Sequence, residues 1–171
     1  KHCTILTNSL LIFNKAASYP NLDIISVPGK LNRKTLSFTG PDINDYLQTY
    51  NISMAFMACT GVTMKSGLTN ASAEEYITKK AIAENANSMI LLADHSKFGR
   101  ISLMTYSSME KLDAIVTDQS LPEEYDSFCQ EHGIRVMTMI KSDIDPKKGA
   151  SAGNPADAPF LNMLISLEDF I

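Results

Sequence analysis

GVTMKSGLTNASAEEYITKKAIAENANSMILLADHSKFG, from Gly61 to Gly99, is the stretch whose reading decides the fold. It opens on a glycine-spaced loop, GVTMKSGLTN, after which Ser72-Ala73-Glu74-Glu75 has the Ser-x-x-Glu spacing of a capping box. In such a box the serine oxygen accepts from the amide three residues on while the glutamate reaches back. Two donors that a helix start leaves orphaned are thereby satisfied. A helix is therefore predicted from Ser72. On a 3.6-residue period Tyr76, Lys79, Ile82, Ala83 and Ala86 share one broad face, and Glu74, Thr78 and Asn85 form a narrow polar stripe opposite. Lys79 thus falls inside the apolar arc, where an ammonium needs a carboxylate, an anion or room to reach water. Glu75 stands one turn earlier, in the favourable order for an ion pair. Two readings stay open for Lys79: an intrahelical pair on a partly covered helix, or a cation reaching over the helix start into a ligand pocket.

Ser88 to Ala93 is a short, continuous apolar run bounded by polar residues, the pattern of a strand buried on both faces. It ends in Asp94-His95-Ser96-Lys97-Phe98-Gly99, a polar and cationic loop. The whole stretch reads as half of a βαβ unit with its functional loop at a strand's carboxyl end, where open α/β sheets bind small ligands. A lysine there suits a phosphate or carboxylate.

Outward from this stretch, strand and helix signals keep alternating. Thr4 to Thr7 reads as a strand, with Asn8 or Ser9 capping a helix that reaches about Ser18. Leu22 to Val27 is the next strand and Pro28-Gly29-Lys30 a turn at its end; Leu31 to Phe38 is predicted as a short edge strand. Pro41, at the first position, starts a helix to about Tyr50. Ile52 to Cys59, the most apolar strand, is expected at the centre of the sheet. After Gly99 come a short strand near Ile101 to Met104, a connector, and a strand from Asp113 to Asp118. Ser120-Leu121-Pro122-Glu123 repeats the Ser-x-x-Glu cap, and the helix it starts stops at His132-Gly133. Ile134 to Met139 closes the sheet. The expected class is α/β, a mainly parallel open sheet with helices on both faces. Residues 1–140 are read as one domain. Residues 141–158 are Pro-, Gly-, Ala- and Ser-rich and read as a linker, and 159–171 regains apolar spacing as a segment of unassigned role.

Composition narrows the function. With 171 residues, 44% hydrophobic and 20% charged, the chain has the make-up of a globular domain able to bury a core. The net charge is −4 and no basic run exists, which argues against gripping a nucleic-acid backbone unaided. The three cysteines, Cys3, Cys59 and Cys129, are scattered without a C-x-x-C spacing, so neither a zinc site nor a disulfide framework is expected. Free thiols fit a reducing cytoplasm, and no membrane-spanning stretch is seen. No metal and no cofactor is expected. The sequence opens on Lys1 and enters a strand at once, and is read as a piece of a longer protein.

GLTN-x4-E-x3-K followed by ILLADHSKFG resembles the effector-binding domain of DeoR-type bacterial transcriptional regulators, whose fold is similar to that of ribose-5-phosphate isomerases. TILTNSLLIFN, PNLDIISVPG, MAFMACTGV, LDAIVTDQSLP and GIRVMTM agree in order, so the resemblance covers roughly Thr4 to Met139. Pro28 departs from the Gly-Gly pair usual at that turn. The resemblance implies a cytoplasmic homo-oligomer that senses a phosphorylated sugar and acts as a repressor of carbohydrate metabolism genes. It would touch operator DNA only through a helix-turn-helix module that is not in this chain. A further strand with a Gly/Ser/Thr-rich phosphate loop, usual before the matched region, is also outside the sequence. The implied ligand contacts are Asn8, Gly61, Asn70, Lys79, Asp94 and Lys97, with Lys97 on the phosphate and Asp94 or Asn70 on hydroxyls. The alternative is a sugar-phosphate isomerase. Against it, the isomerases resemble this chain with a glutamate where Lys79 stands and an acidic residue near Thr60, and aldose–ketose isomerisation needs a carboxylate that can accept and return a proton. A lysine would need a strongly lowered pKa to do so. No catalytic residue is therefore assigned.

Overall fold

In the first part of the chain, β1 (Cys3–Thr7) and β2 (Leu22–Ser26) lie parallel, Cys3 opposite Leu22 and Thr7 opposite Ser26, with α1 (Leu10–Ala16) between them in sequence. The computed structural model describes residues 2–139; the readings for 141–158 and 159–171 lie outside the described residues. Ser9, not Asn8, caps α1, its side chain accepting from the Ile12 amide. Residues 31–38 are not one edge strand but a hairpin of β3 (Lys30–Asn32) and β4 (Ser37–Thr39). The sequence hides this turn because Asn32 makes it with its own side chain, which accepts from the Lys34 and Thr35 amides, without any glycine. Leu36 takes the left-handed conformation there, at φ 50°. Next comes α2 (Ile43–Gln48), shorter at both ends than the pattern suggests.

The described chain divides into two compact units, separated in sequence between Tyr46 and Leu47. The second unit is built on a four-stranded parallel sheet in the order β11-β10-β8-β5. Its strands are β5 (Ala55–Met57), β8 (Met89–Leu92), β10 (Ala114–Thr117) and β11 (Arg135–Thr138). All eight residues of β8 and β10 are buried, as the continuous apolar runs require. The expectation that the Ile52–Cys59 segment is central is corrected: β5 holds one end of this sheet. Apolarity reports that a strand's faces are covered, and here α3 covers β5; it does not report how many strands flank it.

The glycine-spaced loop is also corrected. GVTMKSGLTN is a β-hairpin, β6 (Gly61–Thr63) and β7 (Gly67–Asn70), and β7 pairs on its other side with β9 (Met104–Ser107). Gly67 is forced: its φ is +68°, and a Cβ there would stand 2.1 Å from the Ser107 carbonyl oxygen. β9 starts where its predicted counterpart near 101–104 would end, leaving Ile101 and Leu103 exposed.

The predicted helix is α3 (Ala73–Asn85), with Ser72 accepting from the Glu75 amide. Tyr76, Ile82, Ala83 and Ala86 pack against the core cluster of Met57, Leu68, Leu91, Tyr106 and Ile115. The polar stripe differs from expectation. Thr78 is buried and donates to the Glu74 carbonyl, and Asn85 donates to that of Ala81. A side chain that satisfies itself on its own helix can be buried like an apolar one. The exposed stripe is Glu74, Ile77, Lys80 and Glu84. In α4 (Glu123–Glu131) the cap position is Pro122 and not Ser120, without a side-chain bond. The end is as read, with Gly133 left-handed and His132 Nδ1 donating to the Phe128 carbonyl, the imidazole stacked on the Phe128 ring.

Candidate functional site

Because β5, β8, β10 and β11 run parallel, their carboxyl ends share one edge of the sheet. Along it follow Cys59 and Thr60 after β5, Asp94 to Lys97 after β8, and Asp118 after β10. This is the edge where α/β sheets hold small ligands. The Cys59 thiol is buried close enough to this edge to feel its charges. Burial pushes it up to about 12, against the pull of the Lys79 and Lys97 ammonium groups and with a push from Asp94.

One half of the site is a closed polar knot. Asn70, 3% exposed at the end of β7, accepts at Oδ1 from the Thr60 hydroxyl (3.0 Å) and from Lys79 Nζ (3.1 Å). Its Nδ2 donates to Glu75 Oε2 at 2.7 Å. The amide cannot turn over, since its oxygen faces an ammonium and its nitrogen a carboxylate. Lys79 also lies 3.6 Å from Glu75 Oε2 and 5.8 Å from the centre of the Tyr106 ring, a cation over an aromatic face. The Tyr106 hydroxyl donates to the Ala58 carbonyl at 2.9 Å, and burial holds its pKa well above the usual range. Burial pulls the Lys79 ammonium below its ordinary value, opposed chiefly by Glu75. The first sequence reading of Lys79 holds, since it pairs with Glu75; its ammonium also reaches Asn70, just before the helix start.

The other half is the loop after β8, which turns through a short 3-10 segment, His95–Lys97. Asp94 Oδ1 caps it by accepting from the Ser96 amide at 2.9 Å. Lys97 Nζ lies 3.8 Å from Asp94 Oδ2, an ion pair with no hydrogen bond, and about a third of each side chain is exposed, 34% and 40%. Asp118 holds the loop from β10: Oδ1 accepts from the His95 amide at 2.7 Å, and Oδ2 lies 3.0 Å from His95 Nδ1. Burial pushes the Asp118 carboxyl up, but the His95 amide and ring together bring it below the ordinary carboxylate value. The loop ends where the Gly99 amide donates to the Val62 carbonyl at 3.0 Å and also approaches the Tyr125 hydroxyl at 3.0 Å, with Phe98 edge-on to that ring.

Asn70, Lys79, Asp94 and Lys97 are thus brought into one neighbourhood. Gly61 lies beside it on β6, and packing explains its identity: a Cβ would come within 2.4 Å of the Arg100 carbonyl oxygen. Asn8 belongs to the first unit, where its Nδ2 donates to the Phe38 carbonyl and its own carbonyl accepts from the Phe38 amide. Sequence reasoning missed Tyr106, Tyr125 and Asp118. Only Asp118 carried a signal, as an acidic residue closing the apolar run LDAIVTD in the way Asp94 closes ILLAD. Among the described residues no cluster of three or more His, Cys, Asp or Glu could hold a metal ion, and no helix is long and apolar enough to cross a membrane.

The profile of the DeoR C terminal sensor domain matches residues 1–119. The chain belongs to this family. Among relatives of this sensor-domain chain, the HTH-type transcriptional regulator IolR of Bacillus subtilis (strain 168) is 48% identical over 136 residues, 80% of this chain and 54% of the relative. The L-fucose operon activator of Haemophilus influenzae is 28% identical, covering 81% of this chain and 55% of the relative. The glycerol-3-phosphate regulon repressor of Escherichia coli (strain K12) is 27% identical, covering 77% and 52%. The chain spans about half the length of the curated relatives it matches. Those relatives are named as regulators, and the family that matches is described as a sensor domain.

Proposed function

We propose that residues 1–140 form an effector-binding and oligomerisation domain that senses a phosphorylated sugar, with 141–158 a linker to the apolar segment 159–171. The observation that carries this reading is the contrast between two lysines on one sheet edge. Lys79 is hydrogen-bonded into the Asn70 knot, whereas Lys97 has only a loose ion pair on a half-open loop. An anion with two or three oxygens can replace Asp94 as the partner of Lys97 and add charge-assisted hydrogen bonds. Lys97 then grips the phosphate, Asp94 is released toward a ligand hydroxyl, and Lys79 holds the pocket wall. Gly61 lets the hairpin backbone come close beside them. The names of two relatives, a glycerol-3-phosphate regulon repressor and an L-fucose operon activator, support a sugar or polyol effector, and the first of them a phosphorylated one.

The whole regulator acts in the cytoplasm as a homo-oligomer and represses carbohydrate metabolism genes. It reaches operator DNA through a helix-turn-helix module outside this chain. Ligand binding shifts a conformational equilibrium felt by that module, which requires different affinities for its two states. Calorimetric titration with sugar phosphates, the matching free sugars and inorganic phosphate tests the sensor reading. Saturable binding that needs the phosphate is expected; a longer chain that binds none of them would overturn it. Light scattering tests oligomerisation, and a monomer at high concentration would contradict it.

A further inference from the structure

The Asp118 carboxylate meets His95 twice, at the backbone amide and at ring Nδ1, so ring and loop are fixed by one group from the neighbouring strand. An ionised carboxylate can only accept. At 3.0 Å, Nδ1 must therefore carry the hydrogen, and in a neutral ring that leaves Nε2 with a lone pair. The His95 side chain is 52% exposed, and Nε2 has no partner among the described residues. Lys97, two residues on in the same short turn, is the cation assigned to the phosphate. A donor-only cation and an acceptor-only imidazole nitrogen on one turn make a pair with a chemical preference: an anion that also carries a hydroxyl able to donate.

We infer that His95, held by Asp118 as the Nδ1–H tautomer, accepts through Nε2 from a hydroxyl of the ligand whose phosphate Lys97 binds, and so selects hydroxylated phosphates over bare ones. This rests on the sensor reading above. Asp118 is the positioning residue and His95 the contact.

The test has two arms, the first of which needs no ligand. Long-range proton–nitrogen NMR of the His95 ring, at a pH where it is neutral, should show hydrogen on Nδ1 and a bare Nε2. In Asp118→Asn the two tautomers should mix. A predominantly Nε2–H ring in the native chain would overturn the inference whatever the chain binds. In the second arm the native chain, His95→Gln and His95→Phe are titrated with ribose 5-phosphate, sorbitol 6-phosphate, glycerol 3-phosphate, methyl phosphate and inorganic phosphate. Gln can place its amide oxygen near the Nε2 position and Phe cannot. His95→Phe should bind the hydroxylated phosphates about tenfold more weakly and the bare ones within about twofold of native, with His95→Gln between. Equal loss for both classes, or no loss, would overturn the role in selection while leaving the sensor reading intact. Binding of no phosphate by the native chain and by a longer chain alike would overturn both.

Discussion

The two halves of the site handle charge in opposite ways. Around Asn70 every polar group points at another protein group, and the ammonium of Lys79 is enclosed by an amide oxygen, a carboxylate and an aromatic face. Around Lys97 the ion pair is longer and open to water. Burying a charge is costly unless hydrogen bonds replace its water, so the first arrangement has to be complete to exist at all. The second can stay incomplete because solvent serves as the missing partner. A knot of the first kind supports a wall; a loop of the second kind can exchange its partner for a ligand.

The comparison can be broken most severely at the hairpin that delivers Asn70. Gly67→Val introduces a branched side chain at positive φ against the Ser107 carbonyl, and should cost about 4 kcal/mol or prevent folding. Urea unfolding measures it; a loss below about 1 kcal/mol would mean that the β7–β9 contact yields easily. Next in size, Asn70→Leu keeps volume but removes three hydrogen bonds and leaves Glu75 and Lys79 facing each other without their mediator. About 3 kcal/mol of destabilisation is expected from stranded, partly buried charges. A near-neutral result would make the knot dispensable.

The acid side of the stability curve probes the loop. The folded value of Asp118 lies below the unfolded one, so its stabilisation is complete above the ordinary carboxylate range. It is lost as pH falls through the folded value. Asp118→Asn should lose about 1 kcal/mol near neutral pH and show a shallower decline in acid, read by thermal unfolding across pH. An unchanged decline would place the acid sensitivity elsewhere. Smallest of all, Lys97→Ala should stay within about 0.5 kcal/mol of native stability, because a half-solvated pair contributes little.

Much of this was legible in the sequence, for reasons that also explain what was not. The Ser72 cap, the Glu75–Lys79 pair and the MILL run are local signals, set by helix period and by burial on both faces, and the structure bears them out; the Glu75 carboxylate, however, turns to Asn70 and Lys79 and not back to the Ser72 amide. The links that make the site are not local. Asn70 bonds across five and nine residues, and Asp118 meets His95 from 23 residues away, just past the end of another strand. No periodicity carries such pairings. The β6–β7 hairpin was misread because its turn depends on one left-handed glycine among several, and β5 was placed centrally because apolarity reports covered faces and not strand order. The resemblance in GLTN and ADHSK implies a ligand contact at Asn70, whose described bonds go to protein groups.

The most direct measurement is a parallel calorimetric titration of native chain, Lys97→Ala and Lys79→Met with whichever sugar phosphate the panel finds to bind, repeated with its free sugar. The account predicts that Lys97→Ala keeps the native melting temperature but binds the phosphate form about tenfold to a hundredfold more weakly, down toward the free sugar. Lys79→Met should instead change stability and retain phosphate discrimination. If Lys97→Ala bound the sugar phosphate as tightly as the native chain, the division between a closed wall and an exchangeable cation would be wrong.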